Sequence, residues 1–458
     1  MTIEEIYHDY LNFLREFTAF KSISTDPSFA TDIANTARWL QDQLAANGFK
    51  TEFITGYDNP LVVGSYIVDP KLKTILIYGH YDVQPPYAKA SEGQARMIEE
   101  DLWKAEGWEN DPFVLTEKNG RLVARGAVDN KGQIALHLTT VFELIKQKKL
   151  NYNIKFLIEG NEETGSPNLR HFIEDHADLL SCDSVLISDG EIASGHPVIE
   201  VGFRGVINTA ITLTTSDRDL HSGLYGGSVP NAARELMKLI EKLYQGTTTI
   251  AIDDFYDDVI APTKEELKNH ASFPFSIEHH HRVTGTKKLF SENSLDFYTQ
   301  TGLRPSIEIT GFESGYNGVG FKNAVPHTAS AKLNIRIVPN QDPKKTVKQF
   351  EAFVKNNTPS YATVTLQLGQ GCKPIRINPK SELATKAAKL LTQEFNKKVL
   401  YKYCAATIPI VIDFKEILGV SQVLLPFGNE DCNMHGANEN FEIDLIKKDI
   451  GVAWGLLS

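Results

Sequence analysis

Cysteine is scarce in this sequence, with four in 458 residues, and none of the four lies in a CxxC pair. Widely spaced cysteines argue against a cysteine zinc site and against a disulfide framework. They are typical of free thiols in a reducing compartment. We therefore predict a cytoplasmic protein.

Long apolar runs and an excess of positive charge are also missing. No stretch approaches the roughly 18 apolar residues of a membrane helix. The opening segment, MTIEEIYHDYLNFLREF, has no basic region followed by an apolar one, as a secretory signal has. Lysine and arginine together number 47 against 58 aspartates and glutamates, a net charge of −11. We therefore expect neither nucleic acid nor a membrane as a partner.

What the sequence does contain is a change of pattern along the chain. Its length predicts two domains, because 458 residues exceed one ordinary core. Over the first 200 residues, buried-type strands alternate with helical segments, which predicts α/β architecture with a mostly parallel central sheet. From about 206 to 372, apolar and polar residues alternate as in half-exposed antiparallel strands. We predict one α/β domain, residues 1–205 plus 373–458, and an inserted α+β domain, residues 206–372.

Histidine and acidic residues follow the buried-type strands at the points where these strands end. They are His80 and Asp82 after TILIYG, Asp129 after RLVARGAV, Glu162 and Glu163 after KFLIEGN, Asp189 after SVLIS, and His435 after QVLLPFG. In an open α/β sheet, ligands bind just outside the carboxyl ends of the strands, so one shared rim is predicted. Imidazole and carboxylate without thiolate suit zinc or a related divalent ion in a catalytic site.

Each of these segments alone also suits a more ordinary role. Adjacent glutamates are common in solvated turns, a His-x-Asp pair is often a simple hydrogen bond, and Asp129 suits a helix N-cap. Their coincidence at one edge favours a metal site. Asp129, Glu163 and Asp189 supply three negative charges against the four positive charges of two divalent ions, and one bridging hydroxide balances the rest.

The motifs resemble a known series. GHYDVQP (79–85), GAVDNKG (126–132), EGNEETGS (159–166), LISDG (186–190) and MHGANE (434–439) occur in the order found in the dinuclear zinc aminopeptidase-like family. That family includes carnosinase, Cys-Gly dipeptidases, carboxypeptidase G, aminoacylase, acetylornithine deacetylase and succinyl-diaminopimelate desuccinylase. The resemblance implies a zinc-aminopeptidase-like catalytic domain with an inserted lid and dimerisation domain.

The resemblance also implies roles for single residues. His80, Asp129 and Asp189 are expected to hold one metal ion, and Asp129, Glu163 and His435 the second, with Asp129 bridging. Glu162 matches the general base, which would activate a metal-bridging hydroxide, and Asp82 orients His80. A cis peptide is expected between Asp129 and Asn130. Zinc is the expected metal, and manganese or cobalt would accept the same ligands.

Two further motifs lie in the insertion. DLHSGLYGG (219–227) resembles the family's lid, in which the histidine, here His221, stabilises the tetrahedral oxyanion and in dimeric relatives enters the partner's active site. NIRIVPN (334–340) supplies Arg336, which the resemblance assigns to the substrate's terminal carboxylate. Asn323 and Thr407 are further substrate-binding candidates.

The sequence departs from the carnosinase branch at one loop. Relatives carry Arg-x-Gly-Gly-Ser/Thr-Ile-Pro where this chain has YCAATIP, residues 403–409, so the arginine and both glycines are missing. We expect a metal-dependent dipeptidase acting on small peptides with a free C-terminal carboxylate. The departure leaves an N-acyl amino-acid deacylase open as the alternative. A non-catalytic scaffold is a third alternative. The presence of every predicted metal ligand and of Glu162 argues against it. A homodimer through the insertion is expected.

Overall fold

The computed structural model describes residues 2–87, 99–406 and 408–458. It divides into two compact units. The first unit comprises Met1–Val201, Ile377–Tyr401 and Pro409–Ser458, and the second comprises Gly202–Arg376 and Lys402–Ile408. The division expected from the sequence runs close to these limits but places residues 402–408 with the other part of the chain.

The strands are short to medium in length and are numbered here along the chain. They are β1 (Lys50–Ile54), β2 (Leu61–Tyr66), β3 (Thr74–His80), β4 (Thr116–Lys118), β5 (Arg121–Val123), β6 (Asn153–Glu159), β7 (Ser184–Ile187), β8 (Val198–Phe203), β9 (Gly205–Thr214), β10 (Leu220–His221), β11 (Tyr244–Gln245), β12 (Thr249–Ile250), β13 (Ser306–Ser314), β14 (Ala324–Val325), β15 (Thr328–Ile337), β16 (Thr363–Leu368), β17 (Ile375–Arg376), β18 (Leu400–Cys404), β19 (Ser421–Leu424) and β20 (Asn440–Glu442).

The helices range from one to about five turns. They are α1 (Ile3–Ala19), α2 (Ala30–Ala46), α3 (Glu99–Ala105), α4 (Lys131–Lys146), α5 (Leu169–Asp175), α6 (Ala177–Leu180), α7 (Ser222–Tyr225), α8 (Ala232–Glu241), α9 (Lys264–His270), α10 (Ile277–Thr284), α11 (Phe297–Leu303), α12 (Pro343–Asn357), α13 (Glu382–Phe395), α14 (Pro409–Asp413) and α15 (Ile443–Leu457). Pro27–Phe29, Glu162–Thr164 and Glu292–Ser294 are 3-10 turns, and Phe414–Leu418 is a π-helical turn.

The central sheet of the first unit has the order β1-β2-β6-β3-β7-β19-β8. Its middle strands β6, β3, β7 and β19 run parallel, while the pairs β1-β2, β2-β6 and β19-β8 are antiparallel. Helix α4 contacts β3 on one side and α1 and α15 on the other, and all its residues from Lys131 to Leu144 are buried. This helix is therefore enclosed by its packing partners, and its buried stretch includes polar residues such as Gln133 and His137. The α/β fold predicted from the sequence is confirmed.

The second unit is built on the antiparallel sheet β13-β15-β9-β16. Alternate residues of its strands, such as Ile335 and Ile211, point into a core that also takes up Leu236 of α8 and Phe350 of α12. The other face carries mainly polar side chains, as the alternation in the sequence predicts. Helix α12 begins as expected, because Asp342 caps it by accepting a hydrogen bond from the Lys345 amide at 2.9 Å.

In the part of the chain that the structure describes, no helix is both long and apolar enough to cross a membrane.

Candidate metal centre

Three neighbouring parallel strands deliver predicted ligands to one edge of the central sheet. His80 is the last residue of β3, Glu162 and Glu163 open the 3-10 turn that follows β6, and Asp189 lies two residues beyond β7. Because β6, β3 and β7 run side by side in the same direction, their carboxyl ends share one edge. The sequence reasoning about these strand ends is confirmed.

Asp129 reaches this edge by a different route. The expectation that it follows a strand of the central sheet is wrong, because β5 instead pairs with β4 and β20 in a small antiparallel sheet. Asp129 lies in the turn that leads into α4, and its peptide bond to Asn130 is cis, as expected. The Asn130 side chain donates to the Ser188 carbonyl oxygen at 2.7 Å, which ties this turn to the segment that carries Asp189.

The side chains form two groups that share Asp129. In the first group, His80 Nε2 lies 3.1 Å from Asp129 Oδ1 and 3.7 Å from Asp189 Oδ2. In the second, His435 Nε2 lies 2.9 Å from Asp129 Oδ2 and 3.4 Å from Glu163 Oε2. Within each group the candidate ligand atoms all lie within 4.8 Å of one another. The two oxygens of Asp129 therefore face different histidines, as a carboxylate that bridges two ions requires.

The electrostatics of the cluster fit bound cations. Burial and the negative charge of Asp129 raise the pKa of Glu163 to about 8 and that of Asp189 well above its usual range. The hydrogen bond to Asp129 raises the pKa of His435 to about 9. Each shift reflects crowded carboxylates that attract positive charge, here protons. Two imidazoles with three carboxylates also form a donor set suited to divalent ions, so these residues fit a pair of them.

Asp82 supports both sides of the site. Its carboxylate oxygens accept the backbone N–H groups of Glu162 and Glu163 at 3.2 and 3.1 Å. Its Oδ1 lies 3.3 Å from His80 Nδ1, while its own carbonyl oxygen lies 3.0 Å from the same nitrogen. A proton held on Nδ1 in this way would leave the lone pair of Nε2 available to a metal ion on the side where Asp129 and Asp189 lie. The orienting role predicted for Asp82 is supported by this geometry.

Glu162 is partly buried beside the cluster. Burial raises the pKa of its carboxyl group, the charges of Asp129 and Asp82 raise it further, and His80 and His435 oppose the rise. A carboxylate whose pKa is raised accepts a proton more readily than a free glutamate does, which suits it to exchanging a proton with a reacting water.

Two residues near the cluster escaped the sequence analysis. Arg125 and Glu439 form a buried ion pair, with Arg125 Nη1 2.8 Å from Glu439 Oε2. Glu439 also accepts the backbone N–H groups of Gly126, Val128 and Asp129 at 2.9 to 3.0 Å. Arg125 Nη2 donates to the carbonyl oxygens of His435 and Gly436. This Arg125–Glu439 clamp therefore holds the turn that carries Asp129 to the loop that carries His435.

Gln84 is a third residue that the sequence analysis passed over, although it lies inside the GHYDVQP motif. Its backbone and side-chain N–H groups both donate to the carboxylate of Glu163, at 3.1 and 2.7 Å. The motif letters were a signal for Gln84, whereas nothing local marks the pairing of Arg125 with Glu439, which are 314 positions apart.

The remaining predicted site residues belong to the second unit. His221 is exposed at the end of β10, which pairs with β14, and the Asn323 carbonyl oxygen accepts the Ser222 N–H at 3.0 Å. Arg336 lies on the polar face of β15, where its Nε donates to Asn334 Oδ1 at 2.9 Å. Thr407 lies outside the described residues.

Comparison with known proteins agrees with this geometry. The model of peptidase family M20/M25/M40 matches residues 76–457. The Cys-Gly metallodipeptidase DUG1 of Candida albicans is 29% identical over 96% of this chain and 92% of its own length. The human Beta-Ala-His dipeptidase is 31% identical over 83% of this chain and 73% of its own length.

A solved structure gives the same result. The M20 family metallo-carboxypeptidase Sso-CP2 from Sulfolobus solfataricus superposes with a TM-score of 0.82 at 31% identity, covering 98% of both chains. The family and the fold class predicted from the sequence are thereby confirmed. The chain belongs to peptidase family M20/M25/M40 and is a metallopeptidase.

Proposed function

We propose that this protein hydrolyses the peptide bond of unblocked dipeptides that carry a free C-terminal carboxylate. The observation that carries the proposal is the shared Asp129, whose two carboxylate oxygens face His80 and His435 at 3.1 and 2.9 Å. Support for dipeptides comes from the relatives, which include a Cys-Gly metallodipeptidase and a Beta-Ala-His dipeptidase. An N-acyl amino-acid deacylase is not better supported.

His80, Asp129 and Asp189 would hold one divalent ion, and Asp129, Glu163 and His435 the other. Zinc suits this mixture of imidazole and carboxylate ligands best, although manganese and cobalt accept it. When bound, such ions lower the pKa of a coordinated water and polarise the carbonyl group that is attacked.

Glu162 acts as the general base. It takes a proton from the attacking water and then delivers this proton to the nitrogen of the leaving amine. Its backbone N–H is fixed by Asp82, which also fixes His80, so the base and the first ligand group keep one relative position. Burial and the nearby carboxylates raise the pKa of Glu162, which favours its accepting a proton from water.

His221 stabilises the negative charge that develops on the carbonyl oxygen. The Gly223 N–H donates to His221 Nδ1 at 3.1 Å, so the proton of the neutral ring resides on Nε2. An Nε2–H group is the hydrogen-bond donor that an oxyanion needs. Arg336 binds the C-terminal carboxylate of the substrate, and Asn323 and Thr407 assist it.

The protein acts as a cytoplasmic homodimer, with residues 206–372 serving as lid and dimerisation domain and residues 1–205 and 373–458 as catalytic domain. The four cysteines are free, which supports a reducing compartment. Support for the dimer comes from exposed apolar side chains around His221. Leu224 follows it in α7, and Val319 and Phe321, both fully exposed, precede β14, its pairing partner. A contact there would bring His221 to a subunit boundary.

A substrate screen tests the proposal. Protein loaded with zinc is offered unblocked dipeptides beside N-acetyl and N-succinyl amino acids, and the products are identified by mass spectrometry. Glu162→Gln serves as the inactive variant, and Glu117→Gln, which changes an exposed glutamate of β4, serves as its matched control. We expect the wild type and the Glu117→Gln control to cleave the dipeptides and Glu162→Gln to leave them intact. Cleavage of only the blocked amino acids would make the protein a deacylase and overturn the proposal.

A further inference from the structure

A second arginine lies on the sheet face that carries Arg336. Arg204 immediately precedes β9, and its Nη1 donates to Ser306 Oγ at 3.3 Å. Arg336 of β15 has two cross-strand partners, which are Ser306 on β13 and Val206 on β9. The Arg204 side chain therefore extends across the strand that bears Arg336, so the two guanidinium groups occupy the same face.

Hydrogen bonds to neutral acceptors on three described residues help to fix the position of Arg204. Besides Ser306, its Nε donates to the Ala405 carbonyl oxygen at 3.1 Å and its Nη1 to the Arg304 carbonyl oxygen at 3.4 Å. Tyr403, two residues before Ala405, is fixed as well, since its hydroxyl donates to Glu266 at 2.6 Å and its ring lies beneath Arg376.

Arg336 is fixed as well. Its Nε donates to Asn334 Oδ1 at 2.9 Å, and the Asn334 amide in turn donates to Asn208 Oδ1 at 2.7 Å. A row of side chains on neighbouring strands thus holds the guanidinium in one orientation. A fixed planar fork of this kind is the geometry with which arginine binds a carboxylate through two hydrogen bonds.

The pairing of the two arginines has an electrostatic cost. Both side chains are half-buried, and the pKa of Arg204 is lowered to about 10 by burial and by the positive charge of Arg336. Glu308, exposed on the same face, opposes this shift only in part. Like charges held together away from water are stabilised when an anion is bound between them.

We infer that Arg204 is a second carboxylate-binding residue, which acts with Arg336 on the C-terminal carboxylate of the substrate and so determines the preference for free acids over C-terminal amides. The inference rests on the proposed function, since it takes the substrate carboxylate as the anion.

The test compares an unblocked dipeptide with its C-terminal amide on four proteins: wild type, Arg204→Met, Arg204→Lys and Lys332→Met. Lys332 is an exposed cation on the same face of β15, four residues before Arg336, and serves as the matched control for loss of charge. Arg204→Met should raise KM for the acid roughly 10- to 100-fold, as loss of a charge-assisted hydrogen bond does, with kcat nearly unchanged. The amide should respond little, and Lys332→Met should leave both substrates within about twofold.

Arg204→Lys keeps the charge but not the planar fork, so it should recover part of the lost preference for the acid. It also keeps the test decisive if the methionine variant fails to fold, because an acid preference equal to that of the wild type would then contradict the inference. An equal loss on acid and amide would assign Arg204 a purely structural role.

A binding measurement separates this inference from the proposed function. Calorimetry with a dipeptide analogue that has a methylene group in place of the scissile carbonyl, as the acid and as the amide, requires no turnover. The inference is supported, even if no dipeptide is cleaved, when the wild type binds the acid more tightly than the amide and Arg204→Met does not. If the wild type cleaves dipeptides and Arg204→Met prefers the acid over the amide as strongly as the wild type does, the inference is overturned and the proposed function stands.

Discussion

At the scale of single residues, Asp129 is the side chain that both ligand groups share. Asp129→Ala removes a ligand from both groups, whereas His435→Ala removes one from the second group only. We therefore expect Asp129→Ala to lose both metal ions and His435→Ala to retain about one, since its first group is intact. Metal content per folded chain, measured by plasma mass spectrometry after dialysis, checks this. Equal metal loss in the two variants would contradict a shared aspartate.

Asp449 offers a test of burial at the same scale, away from the metal centre. It is fully buried on α15, and neither carboxylate oxygen has a hydrogen-bond partner among the described residues. Burial raises its pKa well above the usual range. The folded protein therefore keeps a proton that the unfolded chain releases above about pH 4, so stability falls as the pH rises towards the folded-state pKa.

Asp449→Asn cannot ionise and escapes this loss. We expect the variant to be more stable than the wild type at pH 7, with a difference in the free energy of unfolding that grows by up to about 1.4 kcal/mol per pH unit above pH 5. Urea unfolding at several pH values measures it, and Asp444→Asn, an exposed position on the same helix, is the control. A difference that is independent of pH would show that the Asp449 carboxyl group is ionised in the folded protein throughout.

At the scale of elements, the Arg125–Glu439 clamp joins the turn before α4 to the loop before β20. Glu439→Ala leaves Arg125 buried without its ion-pair partner and removes the acceptor for three backbone N–H groups. We expect a loss of roughly 3–5 kcal/mol in the free energy of unfolding. Affinity for metal should also fall about 10- to 100-fold, as for other groups that orient ligands.

Unfolding and metal titration of the Glu439→Ala protein measure both effects. Glu430→Ala is a suitable control, because Glu430 lies in the same loop but is exposed. Loss of stability with unchanged metal affinity would show that the clamp supports the fold without positioning the ligands.

The elements also show how far the sequence alone leads. The positions of His80, Glu163 and Asp189 were predictable because the hydrophobic pattern of a strand and the point where the strand ends are local signals in the sequence. The carboxyl ends of neighbouring parallel strands also lie at one edge of the sheet. The route to Asp129 was not, since the three-residue strand Arg121–Val123 has too little pattern to reveal that it pairs with β4 and β20. The partnership of Arg125 with Glu439 was hidden for a related reason, because a hydrogen bond between distant positions leaves no local pattern.

At the scale of the whole molecule, the proposed dimer makes a separate prediction. A double variant, Leu224→Asp with Phe321→Asp, places charge at two of the exposed apolar positions named above, one after His221 and one before β14. We expect it to shift the protein from dimer to monomer in sedimentation velocity, because burying two carboxylates in an apolar contact is costly. Activity should fall with dissociation if His221 acts in the partner's site.

Phe290→Asp, at another exposed apolar position of the second unit, is the control for added charge and should remain dimeric. A double variant that sediments as the wild type does would place the dimer contact elsewhere. A wild type that is monomeric at all concentrations would contradict the dimer itself.

The proposal that this protein is a two-metal dipeptidase with Glu162 as its base is best tested by the turnover of a variant that lacks this base. Turnover of an unblocked dipeptide is compared between wild type and Glu162→Gln, each first shown to hold two zinc ions per chain. We expect kcat of the variant to fall roughly 100- to 10,000-fold while its metal content is unchanged. A fully loaded variant that turns over as fast as the wild type, or a loaded wild type that leaves the dipeptides intact, would contradict it.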